Sequence, residues 1–166
     1  MVIVYTSNTG FTREYAQMLA KAERKKIYEL SDPQLPQGAE TVYLGPLMAG
    51  HIAGVDQAGK RLTLRAVCGV GMSPPGEGVL ASMRRANYLK DLPLFYLQGG
   101  WAPKQVGWLK RRMVNMVTRS TRKTLQAKAV RTPREQEQLD FLLKGGSCVA
   151  FENLAPLREW LREQED

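Results

Sequence analysis

Short apolar runs alternate with longer stretches of helical spacing along most of the chain. Val2-Ile3-Val4-Tyr5, Ile27-Tyr28-Glu29-Leu30, Thr41-Val42-Tyr43-Leu44-Gly45 and residues 62–69 and 93–97 are five runs of strand length. The first, Val2-Ile3-Val4-Tyr5, is continuous rather than alternating, the pattern of a strand buried on both faces. Residues 12–24 place Tyr15, Met18, Leu19 and Ala22 on one helical face, and 53–60 and 78–89 predict two further helices. Beyond the fifth run, Val106, Leu109, Met113, Met116 and Val117 recur at three- and four-residue spacings. They predict a helix over 104–121 whose apolar face buries toward the sheet. Residues 133–143 predict a helix with Leu139, Leu142 and Leu143 inward, followed by a short extended piece over 147–151. Asn153 is expected to cap a last helix with Leu154, Leu157, Trp160 and Leu161 as its apolar stripe.

Five strands separated by helices predict an α/β domain: a parallel sheet with helices on both faces, spanning 1–166 as one unit. No internal repeat or low-complexity tract interrupts it. Ligands of such sheets sit beyond the carboxyl ends of the strands. Three loops meet that rule: 6–12, 46–51 and 70–75.

The first loop carries the most chemistry. Thr6-Ser7-Asn8-Thr9-Gly10-Phe11-Thr12 joins the first strand to the first helix. It offers hydroxyls, backbone N–H groups and the positive end of a helix dipole, which together suit a phosphate. Gly10 allows close approach of the backbone to an anion. The same residues would also serve simply to cap a helix. No Walker pattern and no triple-glycine dinucleotide turn is present.

Val-Ile-Val-Tyr-Thr-Ser-Asn-Thr-Gly-Phe-Thr resembles the opening of the flavodoxin family, in which a T-x-x-T-G-x-T turn holds the phosphate of FMN. The resemblance implies an open five-stranded parallel sheet of order 2-1-3-4-5 with helices on both faces. It implies FMN as the cofactor, with its phosphate on Thr6, Ser7, Asn8, Thr9, Gly10, Phe11 and Thr12. The isoalloxazine ring would lie between Pro46, Leu47, Met48, Ala49 and Gly50 on one side and Val70, Gly71 and Met72 on the other. Short flavodoxins usually bring an aromatic residue to the ring, and these two loops have none. Met48 and Met72 suit a ring face, being polarizable, and equally suit core packing. His51 is either near the flavin or solvated.

Tyr96-Leu97-Gln98-Gly99-Gly100-Trp101 and the basic, Met-containing stretch after it resemble a bacterial flavodoxin-domain group related to menaquinone-dependent protoporphyrinogen oxidase. Thr132-Pro133-Arg134-Glu135-Gln136-Glu137, Gly145-Gly146 and Glu152-Asn153-Leu154-Ala155-Pro156-Leu157 extend that resemblance to the C-terminus. Three functions are therefore weighed. The first is an FMN protein carrying electrons between redox partners, with no catalytic residue of its own. The second is a flavin-dependent oxidase or dehydrogenase of the resembled type, delivering electrons to a quinone. The third is a flavodoxin-fold binding module without flavin. Fold by itself does not choose among them.

Charge adds one constraint. The net charge is +8, yet no acidic residue lies between 92 and 134. Lys104, Lys110, Arg111, Arg112, Arg119, Arg122, Lys123, Lys128, Arg131 and Arg134 fall in that window; taken from 24 basic residues they leave 14, against 16 acidic ones. The basicity is local and predicts an anionic partner: an acidic redox protein, or the headgroups of an anionic membrane touched peripherally at the inner face. Nucleic acid is not expected, since no recognised nucleic-acid fold accompanies the basic stretch. Cys68 and Cys148 sit apart in apolar contexts and read as reduced thiols. One His and two isolated Cys give no metal site. No secretory signal or membrane-spanning run is read, so the expected location is cytoplasmic.

Overall fold

The first strand pairs with two others that arrive much later in the chain, and this sets the architecture. The computed structural model describes residues 1–89 and 91–164; residues 90, 165 and 166, which the single-domain reading of 1–166 includes, lie outside the described residues. Strand β1 (Val2–Tyr5) is followed by helix α1 (Phe11–Ala22) and strands β2 (Ile27–Glu29), β3 (Glu40–Met48) and β4 (His51–Ile52). Helix α2 (Val55–Arg61), strand β5 (Thr63–Gly71), helix α3 (Glu77–Ala86) and strand β6 (Leu94–Gln98) complete the alternation. Strands pair in the order β2-β1-β3-β5-β6, all parallel, the 2-1-3-4-5 order of a flavodoxin-like open α/β sheet.

The strand count differs from five in one place. β3 runs on to Met48 and turns back through Ala49 and Gly50 into β4, which pairs antiparallel with it as Leu47↔Ile52 and Met48↔His51. Both turn residues have positive φ, 50° and 83°, the geometry of a two-residue hairpin turn that follows strand twist. What periodicity reads as a loop over 46–51 is thus a β-hairpin.

Strand residues alternate between two apolar layers. Ile3, Val42, Leu44, Ala66, Cys68, Val70 and Leu97 pack with Tyr15, Ala16 and Leu19 of α1 and with Leu154, Leu157 and Leu161. The last three belong to the short 3₁₀ turn Phe151–Leu154 and helix α7 (Ala155–Glu163). Val4, Tyr43 and Val67 face the other way, toward Ile52, Val55 and Ala58 near α2 and Met83 of α3. Each fully buried Leu or Ile contributes about 1.5–3 kcal/mol. Two layers of such residues account for a sheet covered on both faces. Arg158 of α7 pairs with Glu23 at the end of α1 at 2.5 Å.

The chain forms two compact units, one of Met1–Gly99 with Cys148–Asp166 and one of Gly100–Ser147. The second holds β7 (Gly100–Trp101) paired antiparallel with β8 (Gly146–Ser147), and helices α4 (Trp108–Val117), α5 (Arg119–Ala127) and α6 (Pro133–Lys144). α6 begins with a capping box: Thr132 accepts from the Glu135 N–H while the Glu135 carboxylate accepts from the Thr132 N–H, with Pro133 in the first turn.

Three expectations are corrected here. The helix expected over 104–121 is two helices that meet at Thr118, whose hydroxyl donates to Val114 O at 2.8 Å. Such back-bonding bends a helix. Of its expected inward face only Val106 is buried; Leu109, Met113, Met116 and Val117 are 58%, 40%, 70% and 78% exposed. In α6 Leu139 is buried, but Leu142 is half-buried and Leu143 exposed. Asn153 does not cap α7, because the 3₁₀ turn carries the chain into it and the Asn153 side chain is bonded elsewhere. Among the described residues no helix is long and apolar enough to cross a membrane.

Candidate functional site

Because β1, β3, β5 and β6 are parallel, the segments that leave their carboxyl ends lie at one end of the sheet. Close approaches bring all four strand ends together. A Cβ placed on Gly99 would lie 2.8 Å from Val70 Cγ1 and 3.2 Å from Phe11 Cβ, and one on Gly71 would lie 3.4 Å from Leu47 Cβ. Phe11, Leu47, Val70, Gly71 and Gly99 therefore converge at the edge the sequence marks as the site.

Residues Thr6 to Gly10 form an irregular turn, and Gly10 stands before α1 with φ 97°. Ser7 Oγ accepts from the N–H of Gly10 at 3.2 Å and of Arg13 at 3.4 Å. The N–H groups of Asn8, Thr9, Phe11 and Thr12 have no hydrogen-bond partner among the described residues. Thr12 is 2% exposed, and its hydroxyl is likewise without a partner there. Orphan donors at the positive end of a helix are what an anion satisfies. No Lys or Arg lies within residues 6–12. The fold supplies one beside it: Arg13 Nη2 lies 3.9 Å from where a Gly10 Cβ would be. Its place three residues after Gly10, one helical turn on, was the available signal.

Thr6 is placed differently from the rest of the turn. Its hydroxyl is 2.8 Å from that of Tyr43, which donates to Ala53 O at 2.7 Å. A phenol has one proton, so with that proton on Ala53 the Thr6 hydroxyl donates to Tyr43. Burial pushes the Tyr43 phenol up to about 12, opposed in part by the Thr6 hydrogen bond. Gly54 lies against both hydroxyls and leaves no room for a side chain.

The hairpin 46–52 holds Pro46 and Leu47 half-buried and Met48, Ala49 and His51 exposed. Its position is set by Asn87, a residue sequence reading passed over. Asn87 Oδ1 accepts from Ile52 N at 2.8 Å, and Nδ2 donates to Gly50 O at 2.8 Å and Met83 O at 2.7 Å. A polar residue only 5% exposed is the one signal that structure adds and composition hides. His51 Nε2 lies 3.7 Å from Asp56 Oδ2 at the surface.

Val70 and Gly71 end β5, so the third segment begins at Met72. It is anchored by the Tyr96 hydroxyl donating to Ser73 O at 2.6 Å and by Gln98 Nε2 donating to Met72 O at 3.3 Å. Gly99 N donates to Gly71 O at 2.7 Å. The backbone of this segment is therefore held in place. Beside it the end of β5 presents Val70, buried, and the segment itself opens on Met72, half-buried.

His51 is the one titratable side chain in 6–12, 46–51 and 70–75. Cys68 and Cys148 are free thiols, and burial pushes that of Cys68 up. Among the described residues no group of three or more His, Cys, Asp or Glu comes together as a metal site. No family model matches the chain, and no curated protein or solved structure does.

Proposed function

We propose that the unit of Met1–Gly99 with Cys148–Asp166 binds FMN and that the protein carries electrons between redox partners. One observation carries this reading: the orphan N–H groups and the Thr12 hydroxyl at the start of α1 stand at the same sheet end as the 46–52 hairpin and the 70–75 segment. That common sheet end supports the reading, since a mononucleotide needs an anion site and ring-flanking loops side by side. Bound FMN would supply the redox chemistry. The chain's own residues do the holding. Thr9, Thr12, Ser7 and the Asn8–Thr12 backbone take the phosphate, with the Arg13 guanidinium beside it. Leu47, Met48, Gly71 and Met72 flank the ring.

A carrier is preferred over an oxidase of the resembled quinone-linked type because the three segments offer no acid or base besides His51. The discriminating experiment is the visible spectrum of the purified protein with and without added FMN, followed by titration. Stoichiometric flavin absorbance with a perturbed spectrum is the expected result. Absence of any FMN binding would leave the flavin-free binding module as the reading.

A further inference from the structure

Helix α4 leaves its apolar stripe exposed. Leu109, Met113 and Met116 follow one another at i, i+4 and i+7, with Val117 beside them, and all four are exposed. By helical geometry Lys110 borders the stripe on one side and Arg112 on the other. The opposite side is the one held within its own unit: Val114 and Asn115 are half-buried, Asn115 O accepts from Arg122 Nη2 at 2.7 Å, and Arg111 Nη2 donates to Val106 O at 3.3 Å. Trp108, 71% exposed, opens the helix. No residue of α4 is buried. A water-soluble helix normally puts such a stripe inward, so an outward one marks a surface that meets something apolar.

We propose that α4 is a docking helix for an anionic lipid bilayer, lying in the headgroup plane with Leu109, Met113, Met116 and Val117 inserted. The charge pattern selects this occupant. Cations flank the stripe on both sides, Arg112, Arg119 and Lys123 are exposed and without a partner among the described residues, and no acid occurs from 92 to 134. An apolar layer beneath a sheet of negative charge is what a bilayer with anionic lipid presents. A protein partner would have to combine an acidic rim with an apolar groove shaped to this one helix, whereas an anionic bilayer offers both over its whole surface. A second copy of the chain would place these like charges against each other. The inference does not depend on FMN, and its test reads lipid binding alone.

The experiment is flotation of the full chain with vesicles of phosphatidylcholine alone or mixed with phosphatidylglycerol. Trp108 fluorescence is followed in parallel, with Trp108→Phe as its control. Binding to the mixed vesicles, a blue shift that Trp108→Phe abolishes, and weakening as salt rises from about 0.1 M to about 1 M are expected. Met113→Ser with Met116→Ser should lower partitioning on the order of tenfold or more, with unchanged thermal unfolding. Arg112→Gln and Lys123→Gln should each lower it about fivefold. Val130→Ser, at an exposed apolar residue outside α4, should leave it unchanged. Failure to bind mixed vesicles at low salt, equal binding to phosphatidylcholine alone, or indifference to the Met113/Met116 change would each overturn the proposal. So would a dimer in solution that the Met113/Met116 change dissociates.

Discussion

The hydroxyl of Tyr15 accepts a 2.6 Å hydrogen bond from the side-chain amide of Asn153 and donates at 2.6 Å to the carbonyl of Gln98. Asn153 Nδ2 also donates to Cys148 O at 2.9 Å, and Cys148 N donates to Gly99 O at 2.6 Å. The chain leaves the sheet unit after Gly99 and returns at Cys148, so this cluster closes the unit where its covalent continuity is broken. Tyr15→Phe and Asn153→Ala should each destabilise it by about 1–3 kcal/mol, the cost of leaving a buried polar partner unmade. In a double-mutant cycle by chemical denaturation the two should couple rather than add. Additive losses would mean that the pair does not act together.

Asn87→Ala removes three hydrogen bonds at once, to Ile52 N, Gly50 O and Met83 O. Stability should fall by about 2–3 kcal/mol. The hairpin should also open locally, so the Ile52 amide should exchange with solvent much faster than the amides of β1. Protection of Ile52 equal to that of the unaltered chain would show that the turn holds itself.

Alkaline pH tests the Tyr43 environment. Its folded-state value, raised from 10.0 to about 12 by burial, lies above that of the unfolded chain. The protonated phenol therefore stabilises the fold fully below about pH 10, and that contribution is lost as pH climbs toward 12. A two-unit rise is worth up to about 2–3 kcal/mol. Burial raises Tyr15 and Tyr96 in the same sense. Tyr43→Phe should flatten the fall in unfolding free energy between about pH 9 and 12, while tyrosinate absorbance should show late ionisation in the unaltered chain. An unchanged slope would place the Tyr43 phenol in contact with solvent.

If FMN is held as proposed, Thr9→Ala and Thr12→Ala should each weaken it by about 1.5–3 kcal/mol, the range for a hydrogen bond to a charged group. Arg13→Gln should weaken it in a salt-dependent way, since the guanidinium is exposed. Riboflavin, which lacks the phosphate, should bind all three variants and the unaltered chain alike. Unchanged FMN affinity in both threonine variants would remove the phosphate from this turn.

The sequence by itself determined the α/β alternation; the strand order entered only through the resemblance of the opening residues to the flavodoxin family, because alternation fits more than one parallel order. Runs such as Val2–Tyr5 and residues 66–70 are apolar at consecutive positions, the pattern of a strand covered on both faces. The crowding of Thr, Ser and Gly at 6–12 was legible for the same local reason, as a turn at a helix start. Tertiary structure alone decided three further things. It turned 46–51 into a hairpin, because the Ala49-Gly50 turn is secured from Asn87, far along the chain. It drew Thr6 to Tyr43 and Asn153 to Tyr15, pairings that depend on which strands and helices become neighbours. It also set the direction of the stripe on α4. Periodicity reports that Leu109, Met113, Met116 and Val117 share a face. Which way that face points is fixed by what else packs against the helix, and here Val114 and Asn115 are the half-buried side.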